Sequence, residues 1–200
     1  KAHDVKNTTD DQEYYNINTH LTSRIFDYFL NSNCKRFIFI SSVKAAADRV
    51  EGVLEEDFTP EPQTAYGKSK LAAETYLLSK KLPKGKTLII LRPCMIHGPK
   101  NKGNLNLLYK MVAMRVPYPL GAFNNERSFL SVENFNFIIR AIIESNDIKS
   151  GVYQVADDGF ISTNSLVKLM GDVTNKKLVI LHFSKSLVKT IARLGDILSL

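Results

Sequence analysis

Tyr66 and Lys70 stand four positions apart in the segment AYGKSKLAAE, residues 65–74. Four residues is slightly more than one helical turn, so on a helix the phenol and the ammonium group lie on the same face. A phenol titrates near ~10, and using it as a general base at neutral pH requires stabilising its anion by roughly 3 units, worth about 4 kcal/mol. A neighbouring ammonium group supplies charge of the right sign. A serine hydroxyl beside the pair could hold a substrate alcohol and hydrogen-bond the alkoxide as it forms. The spacing is not unique, because Tyr76 and Lys80 repeat it. Ten residues along a helix, Tyr76 is rotated by roughly 80° from Tyr66 and falls among Leu71, Ala72, Leu77 and Leu78, which is a packing environment. Tyr66 instead follows the loop EDFTPEPQTA at a helix entrance. Spacing and position alone leave a catalytic and a packing role for it equally open.

The elements that must hold these groups are marked by hydrophobic pattern. RFIFISS (36–42) and KTLIILRP (86–93) each carry four large apolar residues in a row, as strands buried on both faces of a parallel sheet do. Residues 11–30 read as a helix with Tyr14, Ile17, Leu21, Ile25 and Phe29 along one face, and residues 65–81 as a second helix. Helix, buried strand, loop, helix, buried strand is the grammar of a βαβ crossover, which puts functional groups at the carboxyl ends of the strands. Ser41 and Ser42 occupy one such end and RPCMIHGP (92–99) the other. Further elements are expected as helices at 104–115 and 133–144, strands at 128–132 and 151–156, and a helix capped by Thr163 or Asn164. The last stretch, SKSLVKTIARLGDILSL, reads as a basic amphipathic helix with Leu187, Ile191, Leu194, Ile197 and Leu198 on its apolar face.

Composition narrows the classes. The 200 residues are 44% hydrophobic and 24% charged, which suits a folded chain with one sizeable core or two small ones. The net charge of +7 comes from lysines scattered in ones and twos, which reads as a basic surface rather than a nucleic-acid patch. Cys34 and Cys94 have no metal-type spacing, so neither a disulfide framework nor a zinc site is supported, and a reducing cytoplasm is expected. No apolar run approaches ~18 residues.

Taken together, the strand ending in Ser-Ser, the helix entered through PEPQTAYGKSK and the strand ending in LRPCMIHGP resemble the extended short-chain dehydrogenase/reductase family, in particular its nucleotide-sugar epimerases and dehydratases. YYNINTH (14–20) resembles the family's N-x-x-G-T segment and RSFLSVENF (127–135) its R-x-x-x-x-V-x-D segment. The resemblance covers essentially the whole chain. It implies an α/β fold: part of a Rossmann-type doubly wound parallel sheet within residues 1–98, and a smaller α/β substrate-binding region mainly within 99–200.

The resemblance further implies that Tyr66 is the catalytic acid/base. Lys70 would lower its pKa and hold the nicotinamide ribose of NAD or NADP, and Ser42, rather than Ser41, would contact the reacting sugar oxygen. Asn18 would support the site, Lys1 would approach the cofactor, and Pro93 would line the nicotinamide. On the substrate side it points to Asn104, Leu105 and Arg127, the last against a nucleotide diphosphate, for which a planar guanidinium is suited. His97 stands where the family often has tyrosine. A homodimer through helices 11–30 and 65–81 is implied as well.

Departures shape the expectation. His20 replaces the family's small residue, and SSVKAAAD (41–48) lacks the Asp-Glu pair of 4,6-dehydratases, so dehydration is disfavoured; with Lys44 the segment resembles the branch acting on UDP-N-acetylated hexosamines and 6-deoxy-4-keto sugars in surface polysaccharide synthesis. No G-x-x-G-x-x-G or G-x-G-x-x-G occurs anywhere in the chain. That loop normally brings a pyrophosphate to a helix N-terminus, so the chain is expected to be the later part of a longer protein whose glycine loop lies upstream. The expected activity is a UDP-sugar 4-epimerase, with a 4-reductase of a UDP-4-keto-6-deoxy sugar and a non-catalytic dinucleotide or nucleotide-sugar binder as alternatives.

Overall fold

The computed structural model describes residues 10–99, 104–176, 178–188 and 190. Their contacts divide into two units: Lys1–Ile96 with Leu130–Asp157, and His97–Phe129 with Asp158–Leu200. Lys1, and Ile191, Leu194, Ile197 and Leu198 of the terminal stretch, lie outside the described residues.

The first unit is a three-stranded parallel sheet in the order β1 (Arg36–Ile40), β2 (Thr87–Pro93), β6 (Gly151–Val155). Arg36 to Ile40 pair in register with Thr87 to Leu91, and Ile89 to Pro93 with Gly151 to Val155. Helix α3 (Ala65–Ser79) makes the crossover from β1 to β2. The unbroken apolar run of β2 follows from its central place, because alternate side chains serve opposite faces. Leu88 and Ile90 pack with Phe26, Phe29, Phe39, Ala73 and Leu77 beneath α2 (Thr22–Asn31) and α3. Ile89 and Leu91 pack with Leu130, Ile142 and Val155 beneath α5 (Val132–Glu144). Each fully buried aliphatic side chain contributes about 1.5–3 kcal/mol.

The expected helix over 11–30 is helical throughout but not uniform. After α1 (Asp11–Tyr14) the backbone runs in wide π-type turns over Tyr15–Leu21 before α2 resumes. A π turn adds a residue to the helical repeat and shifts the buried face by one position. Phe26 is accordingly fully buried, whereas Leu21 and Ile25, expected inside, are about half exposed at 48% and 50%.

In the second unit, α4 (Asn104–Ala113) and α6 (Thr163–Val173) pack around Val112, Tyr118 and Val167. β4 (Glu126–Arg127) pairs antiparallel with β7 (Ile161–Ser162). The cap of α6 is Ser162, not Thr163 or Asn164: its hydroxyl accepts from the Ser165 N–H at 3.0 Å while its own backbone is extended. The chain passes from one unit to the other within β3 (Met95–His97) and again within β5 (Phe129–Ser131). Among the described residues no helix is long and apolar enough to cross a membrane.

Candidate active site

The first turn of α3 is delivered to the carboxyl end of β1 by a stapled loop. Beyond β1 the chain makes a 3₁₀ turn (Val43–Ala45) whose N-cap is Ser42. The Asp48 carboxylate accepts the N–H groups of Gln63 (2.8 Å) and Thr64 (3.0 Å) and the Thr64 hydroxyl (3.0 Å), and Glu61 N–H donates to Ala46 O at 2.7 Å. Burial pushes the Asp48 pKa up, but the hydrogen bonds from Gln63 and Thr64, with the Lys44 ammonium, leave it below the ordinary value. Thr64 caps α3 by accepting the Gly67 N–H at 3.2 Å. Gly67 is needed there, because a β-carbon would collide with the Lys44 carbonyl oxygen and lie 2.9 Å from Pro62 Cβ.

This loop brings Tyr66 to Ser42. The Ser42 hydroxyl lies near enough to the Tyr66 phenol to favour the phenolate. Burial outweighs it, and the neighbouring Tyr14 adds to burial, so the Tyr66 pKa lies above that of a free phenol. Tyr14 meets Tyr66 edge to face, with ring centroids 5.8 Å apart. Lys70, one turn on, is buried; its ammonium donates to Ile40 O at 3.0 Å and sits 4.8 Å from the centre of the Phe39 ring. Asn18 is buried as well and donates to the Ser69 hydroxyl at 3.1 Å, Ser69 donates to Tyr66 O at 2.9 Å, and Thr19 donates to Ser69 O at 2.8 Å. The π turns thus let two consecutive residues grip the start of α3. Pro93 is buried at the end of β2, opposite Val155. Cys94 follows it, its thiol pushed up to about 11 by burial first, with the Asp157 carboxylate adding to the effect.

The other tyrosine–lysine pair is differently placed. The Tyr76 hydroxyl donates to the Asp27 carboxylate of α2 at 2.8–2.9 Å, and Lys80 lies over the Tyr76 ring. A shallow hollow of about 530 Å³ bordered by Pro60, Pro62, Lys68, Leu71, Ala72 and Thr75 lies on the side of α3 turned away from Tyr66.

The substrate-side candidates belong to the second unit. Asn104 and Leu105 open α4, with Leu105 half-buried. Arg127 is exposed on β4, opposite Ile161, and its charge opposes the upward push of burial on Tyr118. His97 packs edge to face on Phe129 at 6.0 Å. Sequence reading missed Ser69, Glu74 and Arg92, gave Tyr14 only a packing role and set Ser41 aside in favour of Ser42. The signal for Glu74 was a carboxylate among Leu71, Ala72, Ala73, Leu77 and Leu78.

A phenol, a hydroxyl and an ammonium group at the carboxyl ends of parallel strands suit the ribose and nicotinamide of a dinucleotide. The chain has no glycine-rich loop for the pyrophosphate. The donor set therefore fits the nicotinamide-riboside end.

Residues 1–156 match the NAD dependent epimerase/dehydratase family. The chain belongs to that family. Its similarity to curated members is 31% identity over 82% of the chain and 51% of the UDP-glucose 4-epimerase of Vibrio cholerae. It is 30% over 93% of the chain and 56% of the N-acetyl-alpha-D-glucosaminyl-diphospho-ditrans,octacis-undecaprenol 4-epimerase of Escherichia coli O157:H7. The chain spans about half the length of these curated relatives. Among solved structures, the Bordetella bronchiseptica enzyme WbmG in complex with NAD and UDP shares the fold at TM-score 0.75 and 19% identity, covering 95% of this chain and 64% of that one. The family fold, an α/β parallel sheet of Rossmann type, is the one described above.

Proposed function

We propose that the protein carrying this chain is an NAD(P)-dependent nucleotide-sugar 4-epimerase acting on a UDP-hexose or UDP-N-acetylhexosamine. The observation that carries this reading is the Ser42 hydroxyl brought beside the Tyr66 phenol, with Lys70 one turn along the same helix face. The names of the curated relatives support the reaction class.

A bound nicotinamide would supply reversible hydride transfer at C4. Tyr66 removes the proton from the C4 hydroxyl and later returns it to the oxygen of the inverted centre. Ser42 holds that oxygen and hydrogen-bonds the charge that develops on it. Because burial holds the Tyr66 proton in the chain alone, the base needs positive charge beside it: Lys70 supplies one, and an oxidised nicotinamide supplies a second. Asn18 fixes the first turn of α3 through Ser69. Lys1, Pro93 and the ribose contacts of Tyr66 and Lys70 are the proposed cofactor residues; Asn104, Leu105 and Arg127 are the proposed substrate residues, so that the cofactor region falls within 1–98 and the substrate region mainly within 99–200.

We further place the protein in the cytoplasm, in polysaccharide biosynthesis, as a homodimer through the helices at 11–30 and 65–81. Leu21, Ile25 and Tyr28 on one and Leu78 on the other are exposed and apolar, which supports such a contact. The test of the function is incubation of the full-length protein with UDP-N-acetylglucosamine and no added reductant. The C4 epimer is expected. Turnover strictly dependent on consumed NADPH would instead make the protein a 4-reductase.

A further inference from the structure

The proton transfer above makes no use of three buried polar groups. Glu74 is 1% exposed, Arg92 6% and Ser41 0%. Arg92 grips the carboxylate with Nε at 3.1 and 3.2 Å from its two oxygens and Nη2 at 2.6 Å from Oε2, and the Ser41 hydroxyl donates to Oε1. Burying an ion pair is costly, and well-packed apolar residues in its place are often as stable or more so. Stability is therefore a weak reason for this cluster.

Geometry supplies a better one. Three successive residues at the exit of β1 are each met by α3, at positions one turn apart. Lys70 takes the Ile40 carbonyl, Glu74 takes the Ser41 hydroxyl, and Tyr66 meets Ser42. Ser41 N–H also donates to Leu91 O at 2.7 Å, extending the sheet ladder by one residue. In extended backbone, neighbouring side chains point to opposite faces. Ser42 is extended, with φ −163° and ψ 150°. Anchoring Ser41 to α3 therefore fixes the backbone from which Ser42 departs, and the Ser42 hydroxyl, accepting the Lys44 N–H at 3.3 Å, caps the 3₁₀ turn beside the phenol. A carboxylate clamped from β2 by Arg92 is a rigid anchor for this purpose, whereas a lone hydroxyl is free to rotate.

We propose that Glu74, clamped by Arg92, is a positioning residue: its grip on Ser41 fixes α3 against the end of β1 and thereby holds Ser42 against Tyr66. The inference deepens the reading of Tyr66 as acid/base and rests on that reading for its kinetic consequence, though not for its structural one.

Two variants test it. Ser41→Ala removes the link and leaves the ion pair, while Glu74→Leu with Arg92→Met removes both charges together. In each background the titration of Tyr66 is read on the 200-residue chain, as the tyrosinate absorbance lost on Tyr66→Phe. Tyr14 and Lys70, on the elements beside Tyr66, are left unchanged. The expected result is a folded chain in which Tyr66 titrates at higher pH, because Ser42 is no longer held beside the phenol. In the full-length protein with NAD, kcat is expected to fall roughly 10- to 100-fold with KM little changed, as a sub-ångström to 1 Å misplacement of reacting groups produces. Folded variants with the Tyr66 titration of the parent chain would overturn the proposal. If the double variant does not fold, Ser41→Ala alone decides by the same readout. A moved titration with unchanged kcat supports the positioning role and counts against Tyr66 as the acid/base, so the two ideas fail separately.

Discussion

Gly67 lies against the carbonyl oxygen of Lys44 with no room for a β-carbon between them. The glycine between Tyr66 and Lys70 is thus the point at which α3 touches the turn following Ser42. Gly67→Ala should force the two apart, at a cost of about 1–3 kcal/mol for overpacking. Thermal unfolding is expected to show a lower midpoint, and turnover of the full-length protein should fall with it. An unshifted midpoint would mean that the turn yields freely.

Tyr66→Phe keeps the ring that meets Tyr14 and deletes the proton carrier. Removing a positioned general acid/base typically costs 10²–10⁴-fold in rate, so kcat of the full-length protein should fall by roughly 10²-fold or more. Near-ultraviolet circular dichroism of the chain should change little. Ser42→Ala should produce a smaller loss, since one hydrogen bond disappears while the proton carrier stays. Turnover within twofold of the parent for Tyr66→Phe would remove the catalytic assignment.

Asp48 predicts an acid-sensitive loop. Its folded pKa lies below the ordinary 3.8 despite burial, because Gln63 and Thr64 donate to the carboxylate. The unfolded chain therefore takes up the proton first as pH falls. The stabilisation is complete above about pH 4–5 and drains away as pH drops through the folded value. Melting midpoints measured between pH 6 and pH 3 should decline less steeply for Asp48→Asn than for the parent chain. Parallel curves would show that the carboxylate contributes nothing there.

Lys86 holds the carboxyl end of α2. Its ammonium donates to the carbonyls of Phe29 (2.9 Å), Ser32 (2.6 Å) and Cys34 (2.7 Å), and lies over the Phe29 ring. The Phe29 and Ser32 carbonyls lie at the carboxyl end of α2, where positive charge is favourable, and Cys34 follows in the loop to β1. Lys86→Met keeps the aliphatic stem and loses the donors, so a loss of about 1–3 kcal/mol is expected in denaturant unfolding.

The strands β1 and β2 and the helix α3 could be read from sequence because their pattern records a local fact. A strand covered on both faces is apolar at every position, and a helix entrance is marked by its cap. The choice of Ser42 as the partner of Tyr66 comes from the family resemblance, since the order of the elements offers Ser41 and Ser42 alike. The rest depends on pairings that no local pattern carries. Glu74 meets Arg92 across 18 residues and Ser41 across 33, and Asn18 meets Ser69 across 51. The inward turn of Phe26 in place of Ile25 required the π turns, which a search at 3.6 residues per turn does not detect. For Arg127 the sequence offered a charge beside a strand, and its exposure on β4 is compatible with many roles.

Cys94 carries one last consequence. With a thiol pushed up to about 11, the sulfur holds its proton at neutral pH, and roughly one molecule in ten thousand presents the reactive thiolate. Cys34 is exposed. A maleimide dye added at neutral pH would therefore mark the β1 entrance alone, giving a spectroscopic handle at the opposite end of that strand from the serines.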